Sequence, residues 1–231
     1  MTGNSKLVLA SNSPRRKQLI VLGEWKFDIS PVDIDETPMY EERPLDFVLR
    51  MAQSKAIASS EQAPQDAIVL AADTIVVDHN PNGEAEILGK PFDAARSRQM
   101  LRQLRDHIHQ VYTAIAVYKR QDDSLISDIC CTNVPMRDYT DQEIEAYIST
   151  GDPLDKAGAY AIQHEGFHPV KNLQECYANV VGLPLCMLAY NLAKAGILTE
   201  VDVAGKCQAE LNYQCPVSQL YLQGKKKCIP S

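Results

Sequence analysis

Apolar positions along the chain fall into short continuous runs separated by stripes of helical spacing. The run LVLAS at 7–11 has the length of a buried strand, and 14–22 continues as a helix that stops near Gly23. Ser13 fits the N-cap and Pro14 the first helical position. A second strand fits 26–31, and the acidic, proline-punctuated stretch 31–44 reads as a loop. Over 44–61, Leu45, Val48, Leu49, Ala52 and Ala56 share one helical face. The segment AIVLAADTIVVD, 67–78, reads as a long strand. An Asn-Pro-Asn-Gly turn follows at 80–83, then a short strand or loop through EILGKP and a helix over 93–105. Residues 109–119 and 125–137 read as a hairpin, and a capping box at Thr140 to Glu143 opens a helix over 140–149. The stretch 152–182 reads as irregular with brief strands. A last helix fits 184–195, with Pro184 at its start and Gly196 past its end. Strands and helices alternate through the first half, which predicts an α/β fold with a mixed sheet.

Length and composition narrow this picture. The 231 residues suit one α/β domain over 1–198 with a C-terminal appendage of little periodicity over 199–231. With 45% hydrophobic and 23% charged residues, the chain can bury a sizeable core. A net charge of −7 argues against general nucleic-acid binding but leaves room for a locally basic pocket. Apolar runs stay below membrane-spanning length, and the polar residues 1–6 before a run of four do not form a secretory signal. Seven cysteines without CxxC spacing read as reduced thiols, so a cytoplasmic protein is expected.

Two features carry candidate chemistry. In SNSPRR, 11–16, the arginines Arg15 and Arg16 fall in the first helical turn, where cations oppose the macrodipole by ~0.3–1 kcal/mol each. Either they extend into water, or they deepen an anion site at the helix start and grip phosphate oxygens. In the long strand, Asp73 shares a face with Val69, Ala71, Ile75 and Val77. A carboxylate in such a row needs a cation, a hydrogen-bond network or a raised pKa, unless it caps a turn at an exposed strand end. Lys55, at the edge of the apolar face of the 44–61 helix, and Lys90, in a Gly-Lys-Pro loop, are candidate cations, although Lys55 also reads as a snorkelling lysine and Lys90 as an ordinary solvated loop lysine. The acidic loop DIDE, 33–36, is a candidate source of a ligand for Mg²⁺ or Mn²⁺, or is simply a solvated acidic loop. GEAEILGKP, 83–91, fails as a P-loop on spacing and on Pro91, and HEGFH, 164–168, is a poor helix for a zinc-peptidase motif.

LASNSPRR at 9–16, AADTIVV at 71–77, LGKP at 88–91, DKAGAYAIQ at 155–163 and NVVGLPL at 179–185 occur in the order seen in Maf-like proteins, and over 5–195 the chain resembles that family. The resemblance implies a nucleoside triphosphate pyrophosphatase with an ITPase-like fold: a mixed twisted sheet flanked by helices, with a cleft between two lobes. It implies Asp73 as the catalytic proton acceptor, and Ser11, Arg15, Arg16, Lys55 and Lys90 as residues facing the triphosphate. Glu36, with Asp73, would lie at a divalent metal, Mg²⁺ or Mn²⁺. Arg15, Thr74 and Gln163 resemble the subgroup acting on dTTP and UTP, whereas the subgroup preferring 7-methyl-GTP usually has Trp at the position of Arg15. The chain departs from the family's common glycines at Asp106, Ala161, His164 and Glu175. Other functions in view are a nucleotide-binding regulator of septum formation and an enzyme with 7-methyl-GTP preference. A homodimer is expected by analogy, with no nucleic-acid or membrane partner.

Overall fold

The computed structural model describes residues 6–80, 82–225 and 228. A six-stranded mixed sheet forms its centre. Strand β1 (Leu7–Leu9) runs parallel to both β2 (Phe27–Ile29) and β3 (Ile68–His79). On its other side β3 pairs antiparallel with β5 (Ile108–Lys119), which forms a hairpin with β6 (Ser124–Pro135). The order is β2-β1-β3-β5-β6, and the short β4 (Ala85–Leu88) also pairs with β3.

Strict alternation along β3 decides what each face meets. Val69, Ala71, Ile75 and Val77 pack with Val48, Met51, Ala52 and Ala56 of helix α2 (Pro44–Ser60). Leu70 and Ala72 point the other way, into a cluster with Leu9, Leu19 and Ile20. Each fully buried Leu or Ile stabilises by roughly 1.5–3 kcal/mol relative to exposure, so a one-residue slip of β3 would be costly. Leu19 and Ile20 come from α1 (Pro14–Ile20), and Leu188 and Leu192 of α6 (Leu185–Lys194) close the same cluster. Helix α3 (Ala94–Leu104) is capped by Asp93, whose side chain accepts from the Arg96 amide. The capping box of Thr140 and Glu143 opens α4 (Asp141–Ser149) as its sequence indicates.

One detail of the pairing positions the site. β1 accompanies β3 only as far as Leu70, with one more bond from the Ala10 amide to the Leu70 carbonyl. β4 joins the same edge only from Val76 onward. Between them, residues 71–75 have neither strand beside them, so the sheet splits there. The turn from β1 into α1 opens at the carboxyl end of β1, the side of a sheet where α/β folds place their ligands.

Two stretches differ from their sequence reading. In 152–182 the chain forms 3₁₀ turns, a single bridge between Met136 and Val170, and the short helix α5 (Tyr177–Val181), in place of brief strands. Residues beyond 199 form α7 (Val203–Glu210) and α8 (Ser218–Leu222). Val203, Ala204, Cys207, Val217 and Tyr221 join the cluster of β1 and α6. Helices this short have too few apolar positions for a visible period. The uniformly reduced thiols expected from spacing are not found: Cys131 and Cys228 form a disulfide across 97 residues, and five cysteines are free. Pairing at that separation leaves no local spacing signal. Among the described residues, no helix is long and apolar enough to cross a membrane.

Candidate active site

At the split in the sheet, the first group of polar side chains gathers around Arg16. Ser13 caps α1, its hydroxyl accepting from the Arg16 amide. That cap aims the Arg16 guanidinium across the gap. Nε donates to the Gly182 carbonyl at 3.0 Å, one Nη to Thr74 Oγ1 at 3.1 Å and the other to Ser11 Oγ at 3.5 Å. Three elements distant in sequence are thereby tied by one side chain. A guanidinium has five N–H donors, so two remain for a ligand. Burial pulls the Arg16 pKa below its usual value, while the charges of Asp73 and Glu36 raise it and that of Arg15 lowers it. Arg16 thus shares the electrostatic field of the acidic group described next.

The second group lies on the α2 side of β3. Lys55 Nζ sits 2.6 Å from Asp73 Oδ1 and 2.6 Å from Glu36 Oε1. Lys55 and Asp73 are each 14% exposed, whereas Glu36 is 61% exposed. Helical periodicity brings Lys55 to the margin of the apolar face of α2, and the alternation of β3 turns Asp73 toward it. The carboxylate in an apolar row is therefore paired with a cation and is no turn cap.

The remaining expected site residues stand apart from these contacts. Arg15 is half-buried in the first turn of α1, and Lys90 is exposed in the loop after β4. The Gly89 carbonyl accepts from the Gly158 amide at 3.1 Å, which ties the Lys90 loop to the turn carrying the DKAGAYAIQ motif. Gln163 is exposed in a turn just past the buried Tyr160. Neither Ala161 nor His164 has positive φ, so the absence of glycine there imposes no strain beside Gln163. Asp106, by contrast, does take φ +56°.

HEGFH forms a turn in which His164 Nδ1 accepts from the Phe167 amide, and it is not a helical histidine pair. Among the described residues, no three His, Cys, Asp or Glu side chains converge to hold a metal. Glu36 and Asp73 nevertheless face one shared point, now taken by Lys55 Nζ. Two carboxylates supplemented by water and phosphate oxygens are the donor set that Mg²⁺ accepts, so the residues fit a substrate-linked divalent ion.

Sequence reasoning missed Thr113, and met Asn179 and Gly182 only as letters of the NVVGLPL motif, without a role. Thr113 Oγ1 lies 2.9 Å from Thr74 Oγ1 and donates to the Asn179 carbonyl at 3.0 Å. Gly182 ends α5 at φ +116°, and a Cβ there would lie 3.3 Å from Thr74 Oγ1. The signal that exposed Asp73, a polar residue in an apolar strand, was equally present at Thr113.

Comparison with known proteins places this arrangement in context. Residues 6–195 match the family described as Maf-like protein. A dTTP/UTP pyrophosphatase of Geobacter sulfurreducens is 42% identical over 193 residues, which is 84% of this chain and 98% of that protein. One of Anaeromyxobacter dehalogenans is 44% identical, covering 83% of this chain and 94% of its own length. The solved structure of the Staphylococcus aureus Ham1 protein is similar at a TM-score of 0.41 and 15% identity, covering 90% of this chain and 98% of that one. The family match spans every strand of the sheet and both groups of polar side chains, and the chain belongs to the Maf-like proteins.

Proposed function

We propose that the protein is a nucleoside triphosphate pyrophosphatase that hydrolyses dTTP and UTP to the nucleoside monophosphate and pyrophosphate. The observation that carries this reading is the Lys55–Asp73 pair beside Arg16 at the split in the sheet. The names of the relatives supply the substrates.

The geometry suits the reaction. A triphosphate brings about four negative charges, and its hydrolysis needs them held and spread. Arg16 and Lys55 supply positive charge at the split and Ser11 a hydroxyl, and Arg15 and Lys90 would add their charges from the first turn of α1 and the loop after β4. Asp73 accepts a proton from a water that attacks the α-phosphorus. A bond forms from the water oxygen to phosphorus, the bond from phosphorus to the α,β-bridging oxygen breaks, and pyrophosphate leaves with that oxygen. Lys55 holds the Asp73 carboxylate in place and moves toward phosphate oxygens as they arrive. A divalent ion, when bound, supplies charge neutralisation and polarisation of the phosphoryl oxygens, and Glu36 and Asp73 would hold it. Thr74, Arg15 and Gln163 read the base. A cytoplasmic location belongs to this reading only because the nucleotide pool lies there, since the Cys131–Cys228 disulfide removes the ground that reduced thiols offered for it.

The test is a panel of ribo- and deoxynucleoside triphosphates with Mg²⁺ or Mn²⁺, with monophosphate and pyrophosphate as products. UTP and dTTP should give the highest kcat/KM. Release of orthophosphate in place of pyrophosphate, or a preference for 7-methyl-GTP, would overturn the assignment.

A further inference from the structure

Behind Thr74 runs a hydrogen-bond chain whose polarity is fixed at both ends. At the open end, Arg16 Nη2 can only donate, so Thr74 Oγ1 accepts. At the buried end, the Asn179 carbonyl can only accept, so Thr113 spends its single hydroxyl hydrogen there. The 2.9 Å contact between the two threonines then has one arrangement: Thr74 donates and Thr113 accepts. Thr113 is fully buried, so water cannot substitute for either partner. The Asn179 carbonyl is itself immobilised. The Asn179 side-chain amide donates to the Val111 carbonyl and to Thr132 Oγ1, both at 3.0 Å, which locks α5 onto β5 and β6.

The consequence appears at the half-buried, ligand-facing side of Thr74. Its hydrogen is committed inward, and one lone pair is taken by Arg16. Only a lone pair is left to offer. We infer that Thr113 is a positioning residue that makes Thr74 an obligatory hydrogen-bond acceptor, so the site favours a base edge presenting a donor. The N3–H of uracil and thymine is such a donor, whereas N3 of cytosine is an acceptor and meets Thr74 lone pair to lone pair. This inference rests on the reading that Thr74 faces the base of a pyrimidine nucleotide. It adds the reason for discrimination against cytidine nucleotides and assigns it to a residue that touches no ligand.

The experiment compares T113V and T113S with the parent protein. kcat and KM are measured for UTP and CTP, and dissociation constants for their non-hydrolysable α,β analogues by calorimetry. In T113V, the Thr74 hydroxyl is released and can turn outward as a donor. The UTP-to-CTP ratio in kcat/KM, and the matching ratio of dissociation constants, should fall about tenfold. The change should lie in KM, with kcat for UTP within about twofold. T113S retains the hydroxyl and should restore the ratio. Loss of UTP and CTP turnover in equal proportion, or an unchanged ratio, overturns the inference while the pyrophosphatase reading stands. A parent protein that binds both analogues equally overturns the inference whether or not it hydrolyses UTP; absence of hydrolysis of every nucleotide overturns the pyrophosphatase reading alone. Should T113V fail to fold, T113C, whose thiol is a weak acceptor, is expected to show the same fall, and an unchanged ratio there counts equally against the inference.

Discussion

Lys55 and Asp73 meet at 2.6 Å in the layer between α2 and β3, each with most of its side chain withdrawn from water. The pair joins an acid to a cation at one edge of the split in the sheet, in the place where a water and a phosphate would have to meet. Asp73→Asn preserves shape and one hydrogen-bond acceptor but cannot take a proton. Turnover is expected to fall by ~10²–10⁴, the usual contribution of a general base. Nucleotide affinity measured without a divalent ion, and Tm, should change little. Pyrophosphate release together with calorimetric binding checks this, and a variant retaining full turnover would remove Asp73 from the chemistry.

Truncating the other partner has a different cost. Lys55→Met leaves Asp73 withdrawn from water without its counter-charge, and leaves Glu36 repelling it from the loop. A loss of roughly 1–3 kcal/mol is expected from an unsatisfied, mostly buried charged group, less than a fully buried pair would show because solvent still reaches both residues. The double variant K55M/D73N should be more stable than K55M alone, since no orphaned charge remains. Urea unfolding of the four proteins closes the cycle, and strict additivity would show that the contact contributes nothing.

How much of this was legible before the structure depended on how local each signal is. Asp73 could be found because β3 is long enough to display a period of two, which makes a polar intruder visible. Lys55 sat at the margin of a clear helical stripe, and nothing local said that it would meet Asp73 from 18 positions away. Arg16 was visible as a cation in an unfavourable helical turn. Its actual partners, Thr74 and Gly182, lie 58 and 166 residues off, and only the closed fold brings them to it. Thr113 carried the same signal as Asp73, but a neutral threonine is at home in a strand and raises no alarm. Helices α7 and α8 went unseen because five to eight residues hold too little periodicity, and the Cys131–Cys228 pair because no spacing rule reaches across 97 residues.

Gly182 offers a test of the site in which no charged residue is itself replaced. Its φ of +116° lies where side chains other than hydrogen are strained, and an added Cβ would sit 3.3 Å from Thr74 Oγ1 and 3.8 Å from Arg16 Nε. Gly182→Ala should therefore shift the carbonyl that anchors Arg16 and crowd Thr74 together. A destabilisation of about 1–2 kcal/mol is expected from the backbone alone. KM for UTP should rise at least about tenfold, because one hydrogen bond of a charged donor is disturbed. Steady-state kinetics beside a thermal melt separates the two effects, and an unchanged KM would mean that the Arg16 anchor is dispensable.

The acid side of the stability profile should be set in part by a histidine far from this chemistry. His109 is fully buried on β5, with Nε2 at 2.8 Å from the Tyr160 hydroxyl. Burial disfavours its cation and pulls its pKa down to about 3, with the charge of Asp78 opposing that shift. In the unfolded chain an imidazole titrates near ~6.5. Between these values the unfolded state binds a proton that the folded state refuses, so acid favours unfolding. His109 therefore costs nothing at pH 7, and its effect grows as pH falls below about 6.5, with a slope approaching ~1.4 kcal/mol per pH unit. His109→Gln keeps a polar group for Tyr160 and removes the titration. Urea unfolding at pH 7 and pH 5 should show a smaller difference in the variant than in the parent. An equal difference in both would mean that His109 does take up its proton in the folded protein, and that the His109–Tyr160 contact tolerates a buried charge.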